Sequence, residues 1–403
     1  MAIEVHGLAA ADLAAARREL AAVGASPPGV RLMAPKAVHR LIKLSGVDPR
    51  QATVIKQEML AAGGDAATHR GVLDGSAATS DCLLMGTLRQ YELFCAKLRM
   101  QPFGLAGLSD RIREVLDNME GTGVFRLNCR GRELVLGERT LVMGILNVTP
   151  DSFSDGGRYL DPRQALDHAL AMVEDGADII DLGGESTRPG HRPVEAAEQI
   201  RRIMPVLEQL RDRVPVPVSV DTSNAAVARA ALEAGASIVN DQWALTADEE
   251  MAGVVAAYGV PVVLMHNGSG TGYRDLMGEI AAFLRRSIDL GVRAGISPEQ
   301  MVIDPGFGFG KTPAQNLAVL ARLRELAGLG RPILVGTSRK SMIGKVLDLP
   351  PGERVEGTAA TVALAVAAGA AVVRVHDVRQ MVRVARMTDA VVRGVPDPPS
   401  GLA

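Results

Sequence analysis

From about residue 139 the chain alternates short apolar runs with longer stretches whose apolar and charged residues recur at helical spacing. The short runs are "LVMGILNV", "DIIDLG", "PVSVD", "SIVND", "PVVLMH", "MVIDPG", "PILVGT" and "AVVRVH". They are rich in Val and Ile, and most leave no wet face, which is the pattern of parallel strands buried on both sides. The stretches between them read as helices. In "DPRQALDHALAMVEDGAD", Asp161 suits a cap, Pro162 the first turn and Gly176 the exit. "TSNAAVARAALEAGAS" repeats that grammar and closes on Gly235. Eight such units over about 260 residues predict a (β/α)8 TIM barrel. The structural competitor is a doubly wound open sheet, but no G-x-G-x-x-G follows the first strand.

Residues 1–128 pattern differently, and we expect a smaller N-terminal α/β domain there, with the barrel in 129–403. "DLAAARRELAAVG" reads as a helix and "GVRLMAP" as a strand. "AVHRLIKLSG", "QATVIKQEMLAAGG", "TLRQYELFCAKL" and "LSDRIREVLDNME" read as further helices. "LNCRGRELVLGERT" can form a hairpin leading into the barrel. No chemistry is legible in this first domain.

Composition narrows the function. Apolar residues make up 47% of the 403, enough for a sizeable core. A net charge of -2 gives no global field to draw nucleic acid or an anionic membrane, and 3% aromatic residues are a poor supply for base stacking. Cys82, Cys95 and Cys129 lack C-x-x-C spacing and read as small buried hydrophobes in a reduced, cytoplasmic setting. Glu4, His6 and Asp12 interrupt any apolar leader. The longest apolar tract, "GTAATVALAVAAGAAVV", is Ala- and Gly-rich and reads as a buried helix followed by a strand, since a membrane span needs about 20 strongly apolar residues.

Active sites of such barrels gather at the C-terminal ends of the strands. Those ends carry, in order, Asn147; Asp181 with Glu185, Thr187 and Arg188; Asp221; Asn240 and Asp241; Met265, His266 and Asn267; Asp304; Ser338, Arg339 and Lys340; and Arg374, His376 and Asp377. A single Asp after a strand is most often a helix cap. Polar groups at all eight ends are hard to explain that way, because burying them is costly unless they serve a ligand or one another. Asn147, Asp221, Asn240 and Asp304 offer acceptors for a flat nitrogen heterocycle with N–H groups. Arg188, Lys340, Arg374 and His376 offer cationic donors for a phosphate or diphosphate. "DPGFGFGKT" fails as a Walker A loop because Pro305 stands where the first Gly is required, so its glycines are expected to admit a ligand to the backbone. Lys311 reads equally well as a solvated residue at a helix start. No nucleophile-and-base pair or metal set of His residues stands out, which points to catalysis by positioning and by stabilising a leaving anion.

These motifs carry a resemblance. "GILNVTPDSFSDGG", "DLGGESTRPG", "VSVDT", "VND", "MHN", "DPGFGFGK", "GTSRKSMIG" and "RVHDV" resemble, in order and place, the motifs of the dihydropteroate synthases of folate biosynthesis. The resemblance covers residues 139–395. It implies condensation of (7,8-dihydropterin-6-yl)methyl diphosphate with 4-aminobenzoate to 7,8-dihydropteroate and diphosphate, with Mg2+ as cofactor and no built-in nucleophile. It also implies a homodimer and a sulfonamide target. By position it implies that Asn147 holds the metal with diphosphate oxygens, that Asp221, Asn240, Asp304 and Lys340 surround the pterin, and that Met265 packs on the ring. Arg374 and His376 would grip the diphosphate with Thr187 nearby, and Arg188, Phe309 and Ser341 would line the aminobenzoate side. Loops 147–157 and 187–193 would close over both substrates.

His191, Arg192 and Trp243 depart from the usual pattern, and the first two leave the aminobenzoate rim open. Two other functions share much of this chemistry. A pterin-binding methyltransferase barrel would not need "SRK" and "RVH" as a diphosphate grip. A non-catalytic pterin-binding paralogue would have lost its loop residues, which are present here.

Overall fold

A computed structural model describes residues 3–8, 11–121, 123–148, 162–185, 194–268 and 270–394. The chain divides into two compact units, Met1–Gly121 and Thr122–Ala403.

The first unit runs α1 (Leu13–Ala22), α2 (Pro27–Ala37), β1 (His39–Val47), α3 (Pro49–Ala61), β2 (Asp65–Thr68), β3 (Ser80–Thr87), α4 (Leu88–Leu98) and α5 (Leu105–Glu120). Its sheet is antiparallel, in the order β1-β3-β2. Ile42, Leu84, Ile55, Met59, Tyr91 and Phe94 meet in one core. Two expectations fail here. "GVRLMAP" lies in α2, because Ser26 caps that helix by accepting from Gly29 N and Pro27 and Pro28 fill its first turn. "AVHRLIKLSG" forms β1, because its alternating residues pair with β3 in register, Ile42 opposite Leu84. The sequence reading passed over β3, "SDCLLMGT", which buries Ser80, Cys82, Leu84 and Gly86 on alternate positions.

The second unit opens with a hairpin, β4 (Phe125–Cys129) and β5 (Arg132–Leu136). Then come β6 (Leu141–Asn147), α6 (Pro162–Glu174), β7 (Ile179–Gly183), α7 (Ala196–Arg213), β8 (Val218–Asp221), α8 (Ala225–Glu233), β9 (Ile238–Asp241) and α9 (Met251–Tyr258). β10 (Val262–Met265), α10 (Leu276–Arg293), β11 (Met301–Asp304), α11 (Pro313–Ala321), β12 (Leu334–Val335), α12 (Ser341–Leu347), α13 (Val355–Ala367), β13 (Val372–Val375) and α14 (Val378–Arg393) complete it. The eight strands from β6 to β13 pair in parallel in chain order, β13 returns to β6, and a bridge between Ile303 and Ile333 joins β11 to the start of β12. This is a TIM barrel. Most strand residues are buried on both faces, as the continuous apolar runs predict.

The hairpin closes the end of the barrel opposite the candidate site. Leu127, Cys129 and Leu136 pack on Leu141, Met143, Ile179, Ile238, Val263, Val302, Leu334 and Val372. Arg130 donates to the carbonyls of Leu232 and Ala236, and Asn128 N donates to Gln300 Oε1 at 3.1 Å. The expected boundary at 128/129 therefore cuts through β4, and the unit border falls at 121/122. A chain starting at residue 122 should fold as a dispersed barrel. One starting at residue 129 loses β4, uncovers this apolar floor and should aggregate. Light scattering on both truncations checks this, and equal behaviour would contradict the plug.

Candidate active site at the C-terminal ends of the strands

Asp221, Asn240, Met265, Asp304, Phe309, Lys340 and Arg374 line one pocket, together with Gln242, Phe307 and Gly336. Seven of the twelve residues proposed from the sequence thus converge. Each reaches the site because its strand delivers it there: Asp221 ends β8, Asn240 lies in β9, Asp304 ends β11 and Arg374 lies in β13.

The charges are organised around Arg374. Its Nε donates to Asp181 Oδ2 at 2.6 Å and its Nη2 to Asp221 Oδ2 at 2.7 Å. Asn240 Nδ2 donates to the same Asp181 Oδ2 at 3.1 Å. Gln242 Nε2 donates to Asp221 Oδ1 at 2.6 Å. Both oxygens of Asp221 therefore have protein partners, and Arg374 spans two carboxylates. Asp304 is different. Its Oδ1 accepts from Gly306 N at 2.7 Å, and among the described residues no hydrogen bond to its second oxygen is present. Burial pushes Asp221 up to about 6 against the opposing pull of Arg374, and pushes Asp304 up to about 6 against its bond from Gly306. Burial, aided by Arg374, lowers Lys340 to about 8. Lys340 Nζ stands 4.4 Å from the centre of the Phe309 ring.

The loop after β11 answers the question raised by "DPGFGFGK". Gly306 has φ +70°, and a Cβ there would meet His266 O at 1.9 Å; at Gly310, φ +56°, it would meet Gly268 O at 2.4 Å. These two glycines let the loop pack closely on the backbone after β10. Lys311 is buried within that contact, with Nζ at 2.8 Å from His266 Nδ1 and donating to the carbonyls of Gly306 and Phe309. Burial lowers Lys311 to about 7 and, with Lys311 beside it, His266 to about 3. The solvated reading of Lys311 is thereby replaced by a structural one.

His376, Ser341 and Asn147 are not among the residues lining this pocket. His376 Nδ1 lies 3.0 Å from Ser338 Oγ, and burial together with Arg374 lowers it to about 3. That direction favours the neutral imidazole over the cation expected. Ser341 is the exposed first residue of α12. Asn147 ends β6, and a Cβ on neighbouring Gly183 would lie 3.1 Å from its Oδ1. Thr187 and Arg188, with residues 149–157 of the first loop and all of loop 187–193, lie outside the described residues. Asp241 serves its own loop, accepting from Trp243 N and Leu245 N at 2.9 and 2.6 Å. The sequence reading missed Gln242 and Phe307. Each stands two residues from a predicted site residue, Asn240 and Phe309, and that spacing was the available signal.

The model of the pterin binding enzyme family matches residues 143–376. The dihydropteroate synthase of Bacillus subtilis is 53% identical over 253 residues, 63% of this chain and 89% of that protein. The Halobacterium salinarum protein named "Probable bifunctional folylpolyglutamate synthase/dihydropteroate synthase" is 42% identical over 382 residues, 93% of this chain and 46% of that protein, so its match extends beyond the barrel. Among solved structures, the Xanthomonas albilineans dihydropteroate synthase with 4-aminobenzoic acid is 46% identical at a TM-score of 0.65, covering 68% of this chain and all of that one.

Proposed function

The chain belongs to the dihydropteroate synthases among the pterin binding enzymes, and from that premise we infer which of its residues carry the reaction. The enzyme is a transferase that joins a dihydropterin methyl group to 4-aminobenzoate with loss of diphosphate. The observation carrying the assignment of roles is the pocket at the strand ends, where acceptors and cations meet around one space.

Asp304 and Asn240 would accept from the N–H and amino groups of the pterin, and Lys340 would donate to a ring acceptor. Met265 and Phe307 supply apolar lining. Asp221, with both oxygens already partnered, would hold Arg374 and Gln242 in place more than it binds ligand. The bond between the exocyclic carbon and the diphosphate oxygen breaks with its electron pair leaving on diphosphate. The aminobenzoate nitrogen then bonds to that carbon and loses one proton. Carboxylates beside the ring favour the cationic carbon, and cations favour the departing anion, which is positioning and electrostatics without a protein nucleophile. His376 would act on the diphosphate as a neutral N–H donor. Thr187 would stand near the same group, and Arg188, Phe309 and Ser341 would line the aminobenzoate side, where a sulfonamide would compete.

The residues fit Mg2+ only as a companion of diphosphate. Among the described residues no group of three His, Cys, Asp or Glu could hold a metal alone. Asn147 offers one neutral oxygen beside the space left by Gly183, and Mg2+ commonly keeps water and phosphate oxygens for the rest. Bound there, it would neutralise charge on the leaving diphosphate.

A homodimer is supported by apolar side chains exposed on the barrel's outer helices, Leu347 on α12, Leu364 on α13 and Met387 and Val391 on α14. A cytoplasmic location fits the buried, unpaired cysteines, and no described helix is long and apolar enough to cross a membrane.

The pH profile tests the roles. Asp304 accepts most strongly, and through both oxygens, when ionised, so kcat/KM for the pterin substrate should fall as pH drops through about 6. Lys340 donates most strongly when charged, so it should fall again as pH rises through about 8. A flat profile between about pH 5 and about pH 9 would contradict both assignments.

A further inference from the structure

Asp181 is fully buried at 0% exposure and is not among the residues lining the pocket. It nevertheless touches two residues that are. Its Oδ2 accepts from both Arg374 Nε at 2.6 Å and Asn240 Nδ2 at 3.1 Å, while its Oδ1 is buried with no hydrogen-bond partner. One oxygen carrying two donors while the other carries none is a poor arrangement for solvating the carboxylate itself. It is a good arrangement for orienting what it touches.

The chemistry of the contact decides the orientation of Asn240. An ionised carboxylate only accepts, so the end of the Asn240 amide that faces Asp181 must be the NH2 group. The opposite end, Oδ1, is then the group left to the pocket that Asn240 lines. Without Asp181, the amide could turn over and present a donor. The same oxygen fixes the Arg374 guanidinium at Nε, so its Nη2 reaches Asp221.

We propose that Asp181 is a positioning residue that sets the hydrogen-bond polarity of the pterin pocket, committing Asn240 to present an acceptor and locking Arg374 across the floor. This rests on the reading of the pocket as the pterin site. Asp181 turns a residue type that can serve either role into one that recognises only ligand N–H groups. A second acceptor, Asp304, lines the same pocket. Together they select a heterocyclic edge rich in donors over one rich in acceptors.

The test is calorimetric binding of the pterin diphosphate with Mg2+ and without 4-aminobenzoate, so that chemistry does not enter. Asp181→Leu removes the acceptor that specifies which end of Asn240 faces it, whereas Asp181→Asn could keep its amide oxygen on Arg374 and still accept from Asn240. The Kd of Asp181→Leu should rise at least about tenfold, and Asn240→Leu should rise by a similar factor. If the two act as one unit, Asp181→Leu in the Asn240→Leu background should add less than about threefold. Independent, multiplying effects would overturn the proposal, as would Asp181→Leu binding within about twofold of the native chain. Loss of fold in Asp181→Leu moves the test to Asn240→Asp, which sets two carboxylates face to face. One must then hold a proton, so binding should weaken as pH rises through neutrality, and a pH-independent Kd would overturn the proposal. Failure of the native protein to bind the pterin diphosphate would instead refute the reading of the pocket.

Discussion

Arg374→Ala should cost the fold about 3–5 kcal/mol as well as its activity, because it leaves two buried carboxylates without their shared cation. From the sequence alone Arg374 is only a cationic donor at a strand end. The structure adds a structural role: Asp181 is 0% and Asp221 7% exposed, and Arg374 donates to both. The pH dependence of the deficit follows from the sign of the shift. Asp221 already sits above the usual carboxylate range because of burial, and losing Arg374 raises it further. The folded variant then binds protons that the unfolded chain has released, so its deficit grows as pH rises and shrinks as pH falls. Urea unfolding at about pH 5 and about pH 8 measures this. A variant as stable as the native chain at both values would mean that Arg374 does not neutralise the pair.

Lys340→Ala should separate catalysis from stability. Lys340 is part-buried, stands over the Phe309 ring and has no salt bridge among the described residues. Removing it strands no partner, so the unfolding midpoint should barely move. Turnover should fall about 10²–10³-fold, the usual cost of losing one well-placed donor in a water-poor site. Near-native turnover would remove Lys340 from the reacting site.

The barrel was legible because burial on both strand faces writes continuous apolar runs, and the site was legible because polar residues end those runs. What could not be read was which polar groups face a ligand and which face each other. Asp181 and Arg374 are 193 positions apart, and only the pairing of β13 with β6, and of β6 with β7, brings them together. Asp241 and Asp304 look alike in sequence, each closing a strand. One accepts from two amides of its own loop, and the other accepts from one such amide and lines the pocket. The first unit was read less well because its short strands are wet on one face. In β1 only Ile42 and Val47 are fully buried, so a helix fitted its pattern as readily.

The account's central claim is that this pocket joins a pterin to an arylamine by expelling diphosphate. The purified full chain, Mg2+, the pterin diphosphate and 4-aminobenzoate should yield 7,8-dihydropteroate and diphosphate in equal amounts, followed by chromatography. Omitting 4-aminobenzoate should abolish the product. No dihydropteroate from the native chain under saturating substrates would contradict the account.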